Sequence, residues 1–200
     1  MPGFSLKVKF MTNQTVRKIV PPCRLIILLV TLSNLTMAQT KPFVPTDFKV
    51  PEKYENQHFR LRMLTVNDVV KDYDAVMTSI DHLKGIFGPD SKWPSKDLTL
   101  EQDLIDLGWH QKEFQRRNSF TFTVVSLDET KVLGCLYIFP TEKSGYDSEI
   151  TMWVRKSAFE EGLDSILFGT VKDWISKNWT FKKPGYPGRK ISWEEWNSAK

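Results

Sequence analysis

Residues 149–178, EITMWVRKSAFEEGLDSILFGTVKDWISKN, constrain the fold of this chain more than any other stretch. They open with period-two alternation: Ile150, Met152 and Val154 point one way, Glu149, Thr151 and Trp153 the other, as in a strand. The period then lengthens. Leu163, Ile166, Leu167, Thr170, Val171, Trp174 and Ile175 recur at the three-and-four spacing of an amphipathic helix. Between the two lies a turn with a single glycine, Gly162, and such a turn presents a helix N-terminus, where backbone N–H groups suit an anion. A further strand at 179–181, Trp-Thr-Phe, makes this a strand–helix–strand unit, and so predicts a right-handed crossover to a parallel neighbour.

The remainder of the pattern predicts a mixed layer of helices on a sheet. Residues 39–51, with Pro42, Pro45 and Pro51, run extended as a linker or an arm laid on the domain. Residues 59–64 alternate arginine with apolar side chains, as a first strand does. Thr65 with Asp68 has the spacing of a helix cap, followed by the stripe Val66, Val69, Val70, Tyr73, Val76, Met77 and Ile80. Gly85, Gly88, Pro89 and Pro94 make 84–96 a loop. Thr99 and Gln102 cap a second helix over 100–117, whose apolar members are Leu100, Leu104, Leu107, Trp109 and Phe114. A strand over 120–125, a polar turn over 127–131 and a near-continuous apolar strand over 132–139 follow; the last is predicted to be buried on both faces. A helical stub is expected over 192–199.

Composition decides two further points. Residues 1–38 hold Lys7, Lys9, Arg17, Lys18 and Arg24 and no acid, so the rest of the chain carries −1 of the net +4. The folded part has no basic excess, and no nucleic-acid partner is expected. The leader itself reads as a targeting segment. A basic region ends at Arg24, an apolar run of about eleven residues follows, and Thr36 and Ala38 stand at −3 and −1 before Gln39. That run is shorter than the ~20 residues needed to span a bilayer. A cleaved signal peptide places the protein outside the cytoplasm, periplasmic or secreted; an uncleaved anchor, or a start assigned too far upstream of a cytoplasmic protein, are the alternatives. With Cys23 in the leader, Cys135 is alone in the mature chain and has no internal disulfide partner; within an apolar strand it reads as a buried, inert thiol. His58, His82 and His110 are scattered, and His110 with Glu113 reads as a solvated helix face, so no metal is expected.

Trp153-Val154-Arg155, followed by Gly162-Leu163 and the apolar helix, resembles the acyl-CoA-binding core of the GNAT superfamily of N-acyltransferases. Residues 60–65, RLRMLT, are similar to that family's opening, and residues 131–138, KVLGCLYI, to its central hairpin strand. The resemblance covers roughly residues 48–181. It implies a mixed α/β (α+β) GNAT-like domain over 52–200, shortened at the C-terminus because only about twenty residues follow the long helix. It also implies two central strands that part to admit an acyl-pantetheine chain, acetyl-CoA as co-substrate, and a small-molecule or peptide amine as acceptor.

The resemblance assigns roles residue by residue. Glu149 would be the general base, Val154 would pair through its backbone with the pantetheine amides, and Trp153 would wall the pocket. Arg155, Gly162 and Leu163 would flank the pyrophosphate. Read from the residues alone, Glu149 is equally a strand-end carboxylate, Trp153 a core residue and Tyr186 a packing anchor. The turn departs from the family pattern. Where a second small residue is expected, Phe159-Glu160-Glu161-Gly162-Leu163-Asp164 brings three carboxylates to the helix N-terminus, which they stabilise by themselves and from which they repel phosphate. Two functions follow: an N-acyltransferase moving an acetyl group from acetyl-CoA to an amine, or a non-catalytic binding module on the same fold that does not use coenzyme A.

Overall fold

The architecture comes from a computed structural model, which describes residues 42–199; the expected leader over 1–38 lies outside the described residues. Six strands form one sheet in the order β1 (Lys53–Glu55), β2 (Arg60–Met63), β3 (Phe120–Val125), β4 (Val132–Phe139), β5 (Ser148–Val154) and β6 (Pro184–Gly185). All neighbours are antiparallel except β5 and β6, the parallel pair expected across a crossover helix. The helices are α1 (Val69–Met77), α2 (Ile80–Leu83), α3 (Leu100–Gln115), α4 (Lys156–Glu160), α5 (Leu163–Asn178) and α6 (Trp193–Ser198). A 3₁₀ turn, Val66–Asp68, leads into α1, and the Asp68 carboxylate accepts from the Thr65 amide at 3.1 Å. The α3 cap is reciprocal: Thr99 Oγ1 accepts from the Gln102 amide, and Gln102 Oε1 from the Thr99 amide.

Strand alternation sends two sets of side chains to two cores. Phe120, Phe122 and Val124 of β3, Leu136 and Ile138 of β4, and Ile150, Met152 and Val154 of β5 pack against Leu163, Leu167, Val171, Trp174 and Ile175 of α5. The opposite face sets Cys135, Tyr137 and Trp153 against Ala75 and Val76 of α1 and Leu107 of α3. The N-terminal arm docks on the first core. Val44 is buried, Phe43 stacks on Phe120 at 5.8 Å, and Arg117 holds the Pro45 and Phe48 carbonyls.

The structure corrects four expectations. A short strand, β1, precedes the one read as first. The last strand is not at 179–181: Trp179 and Phe181 turn into the core and stack at 5.5 Å, and the chain first pairs with β5 at Pro184. Burying two large rings outweighs forming one more short ladder. Helix α3 ends at Gln115, before Arg117 with its left-handed φ of 61°. Lastly, the buried stripes of α1 and α3 are not the most apolar ones. Val70 is 67% exposed, and Leu100, Leu104 and Trp109 are also exposed, whereas Asp72 and Asp103 are buried.

Candidate functional site

Two cavities bear on function. The first, about 330 Å³, lies along the open edge of β5 and is lined among others by Met152, Trp153, Val154, His82, Asp164 and Arg189. Backbone geometry explains the opening. The Arg155 amide donates to the Leu133 carbonyl at 2.8 Å, so every second residue back along β5 turns its amide groups toward β4. The groups of Ile150, Met152 and Val154 therefore face the other edge, where β6 pairs only with Ser148 and Glu149. This is where a parting of two strands was expected.

That edge is already occupied. Arg189 Nη2 donates to the Met152 carbonyl at 3.3 Å, and His82 Nε2 lies 3.2 Å from the Val154 carbonyl. Arg189 also grips Asp164, in the first turn of α5, through two bonds of 2.9 and 2.6 Å, and lies 5.1 Å from the Phe168 ring centroid. The turn that carries Arg189 depends on Gly188, whose φ is +74° and whose missing Cβ would sit 2.6 Å from Trp193 Nε1. A coenzyme pantetheine arm would need the β5 carbonyls, and its pyrophosphate would meet Asp164 together with Glu160 and Glu161, which lie beside it in sequence. The residues at this edge do not fit coenzyme A.

The residues expected to bind the cofactor part company here. Trp153 and Val154 line the first cavity. Arg155 does not; its guanidinium faces α1, bonded to Asp74 at 3.0 Å and Thr78 at 3.1 Å. Gly162 caps α5 with φ 83° and lines neither cavity, and Leu163 is buried in the α5 core. Glu149 also lines neither cavity. It is half-buried at the start of β5, in register with Phe139 and Gly185. Burial raises its pKa, opposed by a hydrogen bond from Trp196 and by the charge of Lys143. Tyr186 is buried against Phe168, and that burial pushes its phenol up to about 12.

The second cavity, about 300 Å³, lies on the other face of the sheet, under α1 and α3. Its apolar wall is Leu64, Phe87, Trp93, Leu107, Tyr137 and Phe139; its polar groups are Asp72, Asp103, Asp106 and His110. Asp72 is 4% exposed, and its hydrogen bond comes from the Cys135 thiol at 3.4 Å, a weak donor. Asp103 is 5% exposed, and its Oδ2 is buried with no partner. Burial, reinforced by Asp103, pushes Asp72 up to about 7; burial, reinforced by Asp106, pushes Asp103 up to about 6. Burial also takes His110 down to about 4, so its ring, 3.0 Å from Thr121 Oγ1, is neutral at pH 7. Trp153 Nε1 donates to Tyr137 Oη at 3.1 Å, linking a ring that lines the first cavity to one that lines the second.

Sequence reasoning passed over these acids although a signal for them exists. Leu100, Asp103, Leu107, His110 and Phe114 recur at alternate steps of three and four, and Asp72 falls between Val69 and Val76 at the same spacing. An acid inside such a stripe is a buried acid. Arg189, in a Pro/Gly-rich tail, has no comparable signal.

Comparison with known proteins adds the fold. No protein-family model matches the sequence, and no curated protein matches it. Solved structures do match. Ribosomal-protein-S5-alanine acetyltransferase from Vibrio fischeri aligns with a TM-score of 0.50 and 19% identity, over 62% of this chain and 67% of that one. RimL, a ribosomal L7/L12 alpha-N-protein acetyltransferase solved with coenzyme A, aligns at 0.48 and 16%, over 63% and 67%. The microcin C7 self-immunity acetyltransferase MccE, solved with acetyl-CoA and AMP, aligns at 0.47 and 13%, over 65% and 71%. The chain has the mixed α/β fold of the GNAT acetyltransferases.

Proposed function

We propose that this chain is a GNAT-fold binding module that does not use coenzyme A and takes its ligand on the α1/α3 face of the sheet. One observation carries this reading: Arg189 neutralises Asp164 at the α5 N-terminus and occupies the Met152 carbonyl, so the chain itself engages groups that a donor would need. A pyrophosphate at that helix end would have to displace a two-bonded ion pair whose members are 16% and 22% exposed. Calorimetry of the full chain with acetyl-CoA tests the reading. Binding weaker than about 1 mM, with no thermal shift, is the expected result; a Kd below roughly 100 μM overturns it.

A second reading is favoured by the open edge of β5 and the cavity beside it. In it the protein is an N-acyltransferase that moves an acetyl group from acetyl-CoA to a small-molecule or peptide amine. The acceptor would need a proton acceptor, and Asp72, titrating near neutrality, suits that task better than Glu149, which lines neither cavity. Turnover of acetyl-CoA with any amine supports this reading, and its loss in Asp72→Asn with retention in Glu149→Gln would assign the base. We further infer export through residues 1–38. N-terminal sequencing of the mature protein should begin at Gln39, and an intact Met1 would sink that inference.

A further inference from the structure

We propose that the ion pair of Arg189 and Asp164 is an autoinhibitory contact. In it the Asp164 carboxylate occupies the guanidinium that a phosphate would otherwise take at the N-terminus of α5, and residues 186–199 form the strap that carries the guanidinium into place. This names the residue that excludes coenzyme A, and so rests on the reading above that the chain does not use it. The first ground is the geometry of the pair. Arg189 meets both oxygens of Asp164, Nη1 to Oδ2 at 2.9 Å and Nη2 to Oδ1 at 2.6 Å, the fork-to-fork arrangement in which a guanidinium also holds phosphate. Asp164 is the second residue of α5, a helix of 16 residues whose N-cap, Gly162, brings no side chain to the first-turn amides. An anion is favoured there by helix and arginine together, and the chain supplies its own. Glu160 and Glu161 add less, because both are exposed and Glu160 has Lys156 at 3.8 Å.

The second ground is that residues 186–199 cover the β5 edge without joining the sheet. β6 pairs with Ser148 and Glu149; in that register the next donor, opposite the Ile150 carbonyl, is Pro187, which has no N–H. Beyond it the chain crosses the edge on side chains. Arg189 reaches the Met152 carbonyl at 3.3 Å, and Trp193 packs in the space that Gly88 and Gly188 leave for want of a Cβ. Trp196 is buried beside Gly185 and Tyr146, and Lys143 Nζ ties down the Asn197 and Ala199 carbonyls at 3.3 and 3.0 Å. Beneath lies the cavity of about 330 Å³, with Met152 and Val154 on one side and Pro187, Gly188, Arg189 and Trp193 on the other. Protein interiors pack without voids of that size, so a segment that roofs one instead of filling it acts as a cover and not as core.

The test is calorimetry of the full chain, wild type and Asp164→Asn, with acetyl-CoA and with pantetheine, which lacks the pyrophosphate. Asp164→Asn should bind acetyl-CoA at least about tenfold tighter than wild type, while its affinity for pantetheine changes by less than about threefold. Adding Arg189→Met to Asp164→Asn should remove the gain, because the guanidinium freed for the phosphate is then missing. Asp164→Ser takes the place of Asp164→Asn if circular dichroism shows the latter unfolded. No gain in the folded variant, an equal gain for pantetheine, or a gain that survives Arg189→Met would each overturn the proposal. The contact is read from the ratio of variant to wild type. Tight acetyl-CoA binding by the wild type therefore overturns the reading that the chain does not use coenzyme A, and the contact stands if Asp164→Asn still gains about tenfold.

Discussion

The cavity at the β5 edge and the cavity under α1 and α3 differ chiefly in what happens to their acids. At the open edge, Asp164 is matched by Arg189, and the β5 carbonyls are engaged by Arg189 and His82. On the other face, Asp72 has only a thiol, and one oxygen of Asp103 has nothing. An ion pair supplied from within leaves a foreign ion little to gain; a buried carboxylate left bare gains whatever cation arrives. The lesson is that one fold can match a partly buried acid from within at one position and leave others without a cationic partner at another.

The largest expected effect breaks this contrast at Asp72. Its folded-state pKa is raised from 3.8 to about 7 by burial, so the folded chain retains a proton that the unfolded chain loses. The acid therefore costs nothing below about pH 4, subtracts stability progressively between about 4 and 7, and subtracts a constant amount above. Asp72→Asn should stabilise the protein by on the order of 2–4 kcal/mol at pH 8 and by nothing at pH 4, read by urea denaturation at both pH values. An equal change at both pH values would show that Asp72 is not strained by its burial.

Next comes the latch. Arg189→Met leaves Asp164 partly buried without its cation and should cost about 2 kcal/mol, lowering Tm by roughly 4–8 °C. Pairing it with Asp164→Leu should recover most of that loss. An unchanged Tm in the single variant would mean that the C-terminal segment is not held there. The Arg155–Asp74 pair is the weaker counterpart, because Asp74 is 58% exposed; Asp74→Ala should cost under about 1 kcal/mol, and less in high salt. Smallest of all, Glu149→Gln should shift Tm by under about 2 °C, because the amide keeps an oxygen for the Trp196 hydrogen bond and removes a charge that burial disfavours. A larger loss would show that the Glu149 charge itself holds that contact.

Much of the frame was legible in advance because it rests on local periodicity. The β4 bounds, the α5 start, both caps, and the split of Ile150, Met152 and Val154 from Trp153 all follow from side-chain period and capping chemistry. The parts that differ are set by contacts distant in sequence. Of the apolar members expected on α3, Leu107 and Phe114 are buried while Leu104 and Trp109 are exposed and Asp103 is buried, because the Leu107–Phe114 face is the one that meets the sheet. Trp179 and Phe181, expected in the strand that completes the strand–helix–strand unit, lie in the core because a cluster of rings receives them there.

The sequence by itself therefore determined the central elements from β3 to α5 and the acidic character of the α5 turn, since each depends on residues close together in the chain. Only the tertiary structure decided which charges are satisfied. Arg189 meets Asp164 across 25 residues, Cys135 meets Asp72 across 63, and Asp103 meets no donor at Oδ2. A carboxylate's partner, and with it the cost of its burial, is a property of neighbours in space. In this chain that property separates Asp164, matched by Arg189, from Asp72 and Asp103, buried without a cationic partner.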